Sequence, residues 1–396
     1  MKLEGIPHLN DYTADGALFL DHGLAPHVKA YLPTTYRDNH ASNLIELENG
    51  DILCTWFAGL SEGSSDVKIA LARLDKDSDR WTKPVLVTDD YERSEQNPSL
   101  FQAPDGRVWL LHTAQLSRGK MTSEEWNRKL KAGEVKGHFT MQDTAEVRLR
   151  LSEDNGHTWS DAISYFTKPG AFCRHPISVM SNGEWIFPMW YSQPEEDASK
   201  PQYGGDYSVV QISSDQGRTW QEYEVPGSKR RVHMSVVESR PGHLVAFFRS
   251  RSADRVYRAF SEDFGRTWTA PVATSLPNNN ASIQAIRLQS GAVAMIFNYC
   301  KGGDDPEAVV WGAPRCPVVI ALTYDDGETF PYMREIEPGD GFFGADMKKN
   351  HTYHYPSIMQ SRDGRIHVSY THYGRACIMY HQIDEAWIKG DWSFEG

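Results

Sequence analysis

An eight-residue stretch recurs along the chain and constrains its fold more than any other feature. It reads SEDNGHTW at 152–159, SSDQGRTW at 213–220, SEDFGRTW at 261–268 and, less closely, TYDDGETF at 323–330. A degenerate copy, RLDKDSDRWT, occupies 73–82. Steps of roughly 50–60 residues between the four main copies indicate a repeat architecture rather than a chain of unrelated domains.

A second repeat lies upstream of these boxes. Each copy is a short polar segment, an alternating apolar run, a Gly-centred turn and another apolar run, which is the pattern of a β-hairpin. Six copies begin near residues 40, 97, 175, 233, 280 and 355. Because most copies continue into a third strand-like run and a box, the sequence predicts six four-stranded antiparallel units.

Units of this kind predict an all-β fold, a six-bladed β-propeller formed by residues 1–396 as a single domain. The sixth unit runs out of chain soon after its third strand. We therefore expect the N-terminal segment, around GALFLDHG (16–23) or KAYLPT (29–34), to supply the missing strand and close the ring. The segment MTSEEWNRKLKAGEVK (121–136) has a capping box from Thr122 to Glu125 and predicts a short helical insertion in blade two.

The box itself is expected to be architectural. An Asp two residues before a Gly can accept hydrogen bonds from nearby backbone amides, while the Gly takes a left-handed conformation. A turn that recurs once per blade lies at equivalent places on the rim, so its copies cannot converge on one substrate. The residues concerned are Asp154, Asp215, Asp263 and Asp325. Calcium or ligand binding at the box is the alternative, although no complete EF-hand spacing is present.

Composition limits the possible partners. The chain has 53 acidic and 41 basic residues and a formal charge of −12, which argues against nucleic acid. The N-terminus lacks a signal-peptide pattern and no apolar run reaches membrane-spanning length, so we expect no membrane association and a cytoplasmic protein, unless a signal has been removed. Five scattered cysteines without a C-x-x-C pair predict neither a disulfide framework nor a zinc site.

The box S-x-D-x-G-x-T-W resembles the Asp box, or BNR repeat, of the sialidase superfamily, and the resemblance extends over nearly the whole chain. It implies a six-bladed propeller with its active site at one end of the central channel. It also implies an exo-acting enzyme that acts on a terminal acidic sugar.

Members of that superfamily bind the substrate carboxylate with three arginines. Arg249 matches the second of these, with Arg251 as an alternate. The positions of the first and third arginines contain His40 and Asn280 instead. The resemblance therefore supplies one arginine of the three.

The resemblance also implies a nucleophilic tyrosine, matched by Tyr355 in HYPSI. The acid/base carboxylate would be Glu62 or Asp66 in GLSEGSSD, and the glutamate that assists the tyrosine is replaced near His233.

The first strand of each blade is expected to begin at the same face, so the residues at its start should point at the channel mouth. These residues are His40, Asn97, Arg174, His175, His233, Asn280, His354 and Tyr355. Four of the six blades place a histidine there, although the chain has only 15. Polar groups that converge in a concavity predict a functional site.

Three functions fit this set. A retaining hydrolase would use Tyr355 as the nucleophile, with its pKa lowered by His354 or Arg249. A lyase acting on a uronic acid would neutralise the carboxylate with Arg174 or Arg249. A histidine or tyrosine would then take the C5 proton, and Tyr355 would protonate the leaving oxygen.

A non-catalytic glycan-binding propeller is the third possibility. Of the three functions we rank the hydrolase first, with an acidic oligosaccharide as its substrate. No cofactor and no metal are predicted, since no H-x-H or H-E-x-x-H spacing occurs, but a metal held by histidines from several blades stays open.

Overall fold

The computed structural model describes residues 14–21, 26–136, 138–193, 203–338 and 353–390. Two short strands, β1 (Phe19–Leu20) and β2 (Val28–Tyr31), come first. Sheet one contains β3 (Asp38–Glu46), β4 (Ile52–Gly59), β5 (Lys68–Leu74) and β6 (Val85–Leu86). Sheet two contains β7 (Arg93–Gln102), β8 (Val108–Leu116), β9 (Glu146–Ser152) and β10 (Ile163–Phe166).

In sheet three the first strand is divided in two. Its members are β11 (Ala171–Cys173), β12 (Ser178–Val179), β13 (Trp185–Tyr191), β14 (Tyr207–Ser213) and β15 (Gln221–Glu224). Sheet four contains β16 (Arg231–Arg240), β17 (His243–Ser250), β18 (Arg255–Ser261) and β19 (Val272–Pro277). Sheet five contains β20 (Gln284–Arg287), β21 (Val293–Asn298), β22 (Val318–Thr323) and β23 (Tyr332–Glu337).

The sixth sheet joins the two ends of the chain. It contains β24 (His354–Gln360), β25 (Ile366–His372) and β26 (Cys377–Ile383), and β2 pairs antiparallel with β26 from Val28 opposite Gln382 to Tyr31 opposite Met379. β1 in turn pairs with β2. A segment from the N-terminal region thus completes the last blade.

The predicted all-β, six-bladed propeller of four-stranded antiparallel blades is therefore confirmed. The second strand of each blade is packed on both faces by neighbouring blades, so β4 and β13 are buried at every position. Outer strands face solvent, as at β6, where both residues are exposed. The hydrophobic core is accordingly divided into clusters between adjacent blades rather than gathered at one centre.

The helical insertion in blade two is also confirmed. Helix α1 spans Ser123–Lys131, and the Thr122 hydroxyl accepts a hydrogen bond from the backbone N–H of Glu125 at 3.1 Å. This satisfies one of the amide donors that every helix leaves free at its first turn. A second helix, α2, spans Glu385–Lys389, and neither helix of the described chain is long and apolar enough to span a membrane.

The four boxes make the turn hydrogen bonds that the sequence predicts. In the third, the Asp263 carboxylate accepts from the backbone N–H groups of Arg266 (3.0 Å) and Thr267 (2.8 Å) and from the Thr267 hydroxyl (2.7 Å). Gly265 has a φ of +86°, a conformation that favours glycine. Trp268 is buried in the core between blades three and four, so the box fixes the turn and anchors it.

Candidate active site

A cavity of about 480 Å³ opens where the first strands of the blades begin, and each of the six blades contributes side chains to it. First strands of neighbouring blades contact each other, as β3 does with β7 and β24, so this cavity lies at one end of the central channel. Its polar and charged lining consists of His40, Glu62, Gln96, Asn97, His138, Thr140, Gln142, Tyr203, His233, Arg249, Arg251, Arg315, Tyr355 and Arg375. Its other lining residues are Phe57, Phe139, Phe172, Trp190, Val309 and Trp311.

A left-handed backbone conformation recurs where the first strands begin and orients the axial residues. At or beside the predicted position, five of the blades hold a non-glycine residue with φ between +47° and +59°: Ala41, Asn97, His233, Asn280 and Tyr355. In four of them the strand pairing also shifts register there, which is the mark of a β-bulge. Such conformations cost about 1–3 kcal/mol each and persist only where their surroundings impose them. Their repetition around one axis is a strong indication of a built site.

Tyr355 is surrounded by guanidinium groups. Arg249 Nη1 donates to its phenolic oxygen at 2.6 Å, and the guanidinium carbons of Arg249 and Arg315 lie 5.3 and 5.4 Å from its ring centre. Burial acts to raise the pKa of Tyr355, but the charges of Arg249 and Arg315 outweigh it and lower the pKa below its ordinary value. The phenol is thereby prepared to act as a nucleophile or proton donor.

Arg249 is fully buried and only partly satisfied. Its Nε donates to Asn280 Oδ1 at 2.8 Å and its Nη1 also donates to His233 Nε2 at 3.0 Å. Its Nη2 has no hydrogen-bond partner among the described residues although it is buried. A buried donor without a partner is costly, and an acceptor that reached this nitrogen would relieve that cost.

The cavity arginines fall into two kinds. Arg251 is paired with Asp206 at 2.6 Å, and Arg375 is paired with Asp38 at 3.0 Å and Glu62 at 2.6 Å. Within the described ranges, neither Arg249 nor Arg315 has a carboxylate within 4.0 Å. Arg315 instead donates from Nη1 to His354 Nδ1 at 3.0 Å.

Of the two candidate acid/base carboxylates, only Glu62 lines the cavity. Burial raises its pKa, but Arg375, Arg315 and Arg118 together lower it below the ordinary value, so Glu62 is ionised in the free protein. Asp66 lies in the turn after β4, where its carboxylate accepts from the Ser64 hydroxyl and from the Leu60 backbone N–H.

The axial histidines differ in their surroundings. His40 lines the cavity, its ring centre lies 4.3 Å from that of Tyr355, and its Nδ1 contacts the Thr371 hydroxyl at 2.8 Å. His233 uses Nε2 to accept from Arg249, so its Nδ1 carries the proton towards Ser282 Oγ at 3.1 Å. Neither nitrogen of His233 therefore has a lone pair free for a substrate proton. His175 donates to the His233 carbonyl at 3.2 Å and lies outside the cavity lining.

Arg174 also lies outside the cavity lining and supports Tyr355 from behind. Its guanidinium donates to the backbone carbonyls of Ser42 and Tyr355, both at 2.9 Å, and its side chain is 1% exposed. Arg174 thereby connects blades three, one and six and holds the Tyr355 backbone at its left-handed φ of +49°. Of the two predicted asparagines, Asn97 lines the cavity and Asn280 holds Arg249.

Sequence reasoning missed several lining residues. Arg315 lies in the loop between β21 and β22, and Arg375 lies in the turn between β25 and β26. His138 comes from the blade-two insertion, and burial lowers its pKa to about 4. Loops that follow the second strand of a blade open at the face where the first strand begins. Basic residues in those loops could therefore have been recognised from the sequence as candidates for the cavity lining.

Comparison with known proteins agrees with this architecture. The chain belongs to the BNR repeat-like domain family, whose model matches residues 50–368. A sialidase from Paraclostridium sordellii is 31% identical over 153 residues, which is 34% of this chain and 36% of that protein.

Two solved structures share the fold at low identity. A Hadza microbial sialidase superposes with a TM-score of 0.67 at 16% identity, covering 89% of this chain and 66% of its own. A protein of unknown function from Dyadobacter fermentans gives a TM-score of 0.66 at 18% identity, covering 89% of this chain and 97% of its own. The resemblance to sialidase propellers is thus confirmed for family and fold.

Proposed function

We propose that this protein is a sialidase-like exo-glycosidase that releases a terminal acidic sugar from a glycan. The observation that carries the proposal is the pair Arg249 and Arg315, which flank Tyr355 and have no carboxylate partner among the described residues. Guanidinium groups form charge-assisted hydrogen bonds to carboxylates, so an acidic sugar that reached the buried Arg249 Nη2 would satisfy it.

In this mechanism the sugar carboxylate binds between Arg249 and Arg315, which brings the anomeric carbon to Tyr355. Tyr355 attacks that carbon as the phenolate, the form that Arg249 and Arg315 favour, and Glu62 gives its proton to the leaving oxygen. A water molecule, deprotonated by Glu62, then releases the sugar from the tyrosine, as in other retaining glycosidases with a tyrosine nucleophile.

Glu62 needs a proton for the first step although arginines keep it ionised in the free protein. An anionic substrate would offset the charge of Arg315, one of the groups that lower the pKa of Glu62. Binding would also exclude water, which favours the protonated acid. Glu62 is therefore expected to become a proton donor only in the complex.

A lyase is the second candidate, and His40 favours it. Burial lowers the pKa of His40 well below its ordinary value, so its imidazole is neutral and can accept a proton beside Tyr355. In that reaction His40 would take the C5 proton of a uronic acid and Tyr355 would protonate the leaving oxygen.

One experiment separates the candidates. The protein is incubated with a panel of acidic glycans, terminated by sialic acids or by uronic acids, and the products are analysed by mass and by ultraviolet absorbance. A hydrolase adds one water to the products, whereas a lyase leaves an unsaturated, absorbing uronate. Tight binding of an acidic glycan without any product would contradict both enzymes and favour a glycan-binding protein.

A further inference from the structure

Arg249 and Arg315, which have no carboxylate partner in the described part of the chain, are each held by a histidine. Arg249 Nη1 lies 3.0 Å from His233 Nε2, and Arg315 Nη1 lies 3.0 Å from His354 Nδ1. We infer that His233 and His354 are positioning residues that hold these guanidinium groups as uncharged acceptors and so leave both positive charges available to the substrate anion. The inference rests on the proposed function for the identity of that anion as a sugar carboxylate.

The hydrogen-bond chemistry fixes the state of both imidazoles. A guanidinium nitrogen can only donate, so the ring nitrogen that faces it must carry a lone pair. If the imidazole were protonated at that nitrogen, its N–H would face the N–H of the guanidinium and the hydrogen bond would be lost. Burial, and after it the neighbouring arginines, lower the pKa of both histidines well below the ordinary value, in agreement with neutral rings.

The other cavity arginines show what a charged partner does. Asp206 forms an ion pair with Arg251, and Asp38 and Glu62 form ion pairs with Arg375, with nitrogen–oxygen distances of 2.6–3.0 Å. A carboxylate there orients a guanidinium but also neutralises it. An imidazole orients it without neutralising it. As far as the structure describes the chain, two cavity arginines are therefore neutralised by the protein and two are left for a ligand.

The orphaned nitrogen of Arg249 supports the same assignment independently. His233, Asn280 and Tyr355 occupy Nη1 and Nε, whereas the buried Nη2 has no partner in the described structure. The three partners fix the plane of the guanidinium. They leave the Nη2 donors and the net charge for an incoming carboxylate.

Isosteric pairs of variants test the charge alone. An Asn amide oxygen can stand near the place of His354 Nδ1, and a Gln amide oxygen near that of His233 Nε2. We therefore compare His354→Asn with His354→Asp, and His233→Gln with His233→Glu. Binding of N-acetylneuraminate and of glucuronate to the full chain is measured by titration calorimetry.

The charged member of each pair should bind the acidic sugar at least about 10-fold more weakly than its neutral isostere. Asn97→Asp adds the same charge to the cavity wall, although Asn97 makes no hydrogen bond to either guanidinium. Asn97→Asp should therefore weaken binding relative to the unmodified protein only slightly. This loss should be smaller than the loss from His354→Asn to His354→Asp and smaller than that from His233→Gln to His233→Glu. Equal affinity within both pairs, or an equal loss in Asn97→Asp, would overturn the inference.

A second measurement does not depend on any sugar. The ionisation of Tyr355 is followed by ultraviolet difference absorbance, and the same variant carrying Tyr355→Phe subtracts the other 17 of the 18 tyrosines. The pKa of Tyr355 should be higher in each charged isostere than in its neutral partner, by more than Asn97→Asp changes it. If this shift is found but no acidic sugar binds, the histidine assignment stands and the proposed function fails. If sugars bind but neither measurement separates the pairs, the histidine assignment fails.

Discussion

Replacement of Tyr355 by phenylalanine tests the proposed reaction most directly. The change removes one oxygen, which accepts from Arg249 Nη1 at 2.6 Å. Arg249 Nη1 still contacts His233 at 3.0 Å, so the loss in folding stability should stay within about 1–3 kcal/mol, the usual cost of a disrupted buried hydrogen bond. Turnover should fall far more, by about 1,000-fold or more, which is about 4 kcal/mol in the barrier.

Tyr370→Phe is the matched control. Tyr370 is fully buried whereas Tyr355 is partly exposed, and the Tyr370 hydroxyl bonds Glu337 at 3.0 Å and His381 at 2.8 Å without lining the cavity. It should lose comparable stability in thermal unfolding while its turnover per folded molecule stays near that of the unmodified protein. The assay measures release of the acidic sugar at saturating substrate. It is combined with the intact mass of rapidly quenched enzyme, which should show a glycosyl adduct that Tyr355→Phe lacks.

Survival of turnover within about 10-fold, a barrier change of only about 1.4 kcal/mol, would refute the role of Tyr355 as nucleophile. His40→Ala then becomes the informative variant. A loss in His40→Ala as large as that in Tyr355→Phe, together with an unsaturated product, would identify the lyase.

The remaining predictions concern the carboxylate-binding Arg249, the proton donor Glu62, the box residue Asp263 and the effect of salt. Arg249→Lys keeps one charge but loses the planar guanidinium and its unpartnered Nη2, and should weaken binding of an acidic sugar about 10-fold or more, about 1.4 kcal/mol, in calorimetry; unchanged affinity would leave Arg315 as the anchor. Glu62→Gln should abolish most release from substrates with poor leaving groups, whereas Asp66→Asn should act mainly on stability; the reverse order would move the acid to Asp66. Asp263→Ala should lower the free energy of unfolding by about 1–2 kcal/mol through lost turn bonds while activity per folded molecule remains. Burial raises the pKa of Asp263 but its turn bonds lower it further, so this difference should be present above about pH 4 and vanish as the pH falls through the folded pKa. For an acidic glycan, kcat/KM should rise as salt increases from about 0.01 to 0.15 M.

The propeller could be predicted from the sequence because its signals are local and repeated. A turn glycine, a capping threonine or a box aspartate specifies its own neighbourhood, and repetition supplies the long-range arrangement. The same repetition identified the first-strand positions. Seven of the residues named from the sequence line the cavity: His40, Glu62, Asn97, His233, Arg249, its alternate Arg251, and Tyr355.

The remaining site residues could not be predicted because long-range packing determines them. Arg315 follows β21 by a loop of irregular sequence, and nothing in that loop indicates that it returns to Tyr355. Arg174 starts a blade like the histidines do, but its length carries the guanidinium across the axis to the backbone of Tyr355. Whether an axial side chain lines the cavity or supports it from behind depends on how far and in which direction the side chain extends. The alternating pattern of a single strand does not contain that information.

Salt dependence follows from the contrast between the chain and its cavity. The whole protein carries a formal charge of −12 and should repel an acidic glycan at long range, whereas Arg249 and Arg315 attract its carboxylate at short range. Salt shortens the Debye length from about 30 Å at 0.01 M to about 8 Å at 0.15 M, which screens the distant charges far more than a buried contact. Association of the acidic glycan should therefore become faster over this range, and a neutral glycoside that is also cleaved would show little change. A kcat/KM that falls steadily with salt would contradict this expectation, because such a fall is typical of proteins whose surface field attracts a ligand of opposite charge. It would show that the outer face of the cavity is electropositive in solution. The two arginines would then not be the only groups that attract the anion.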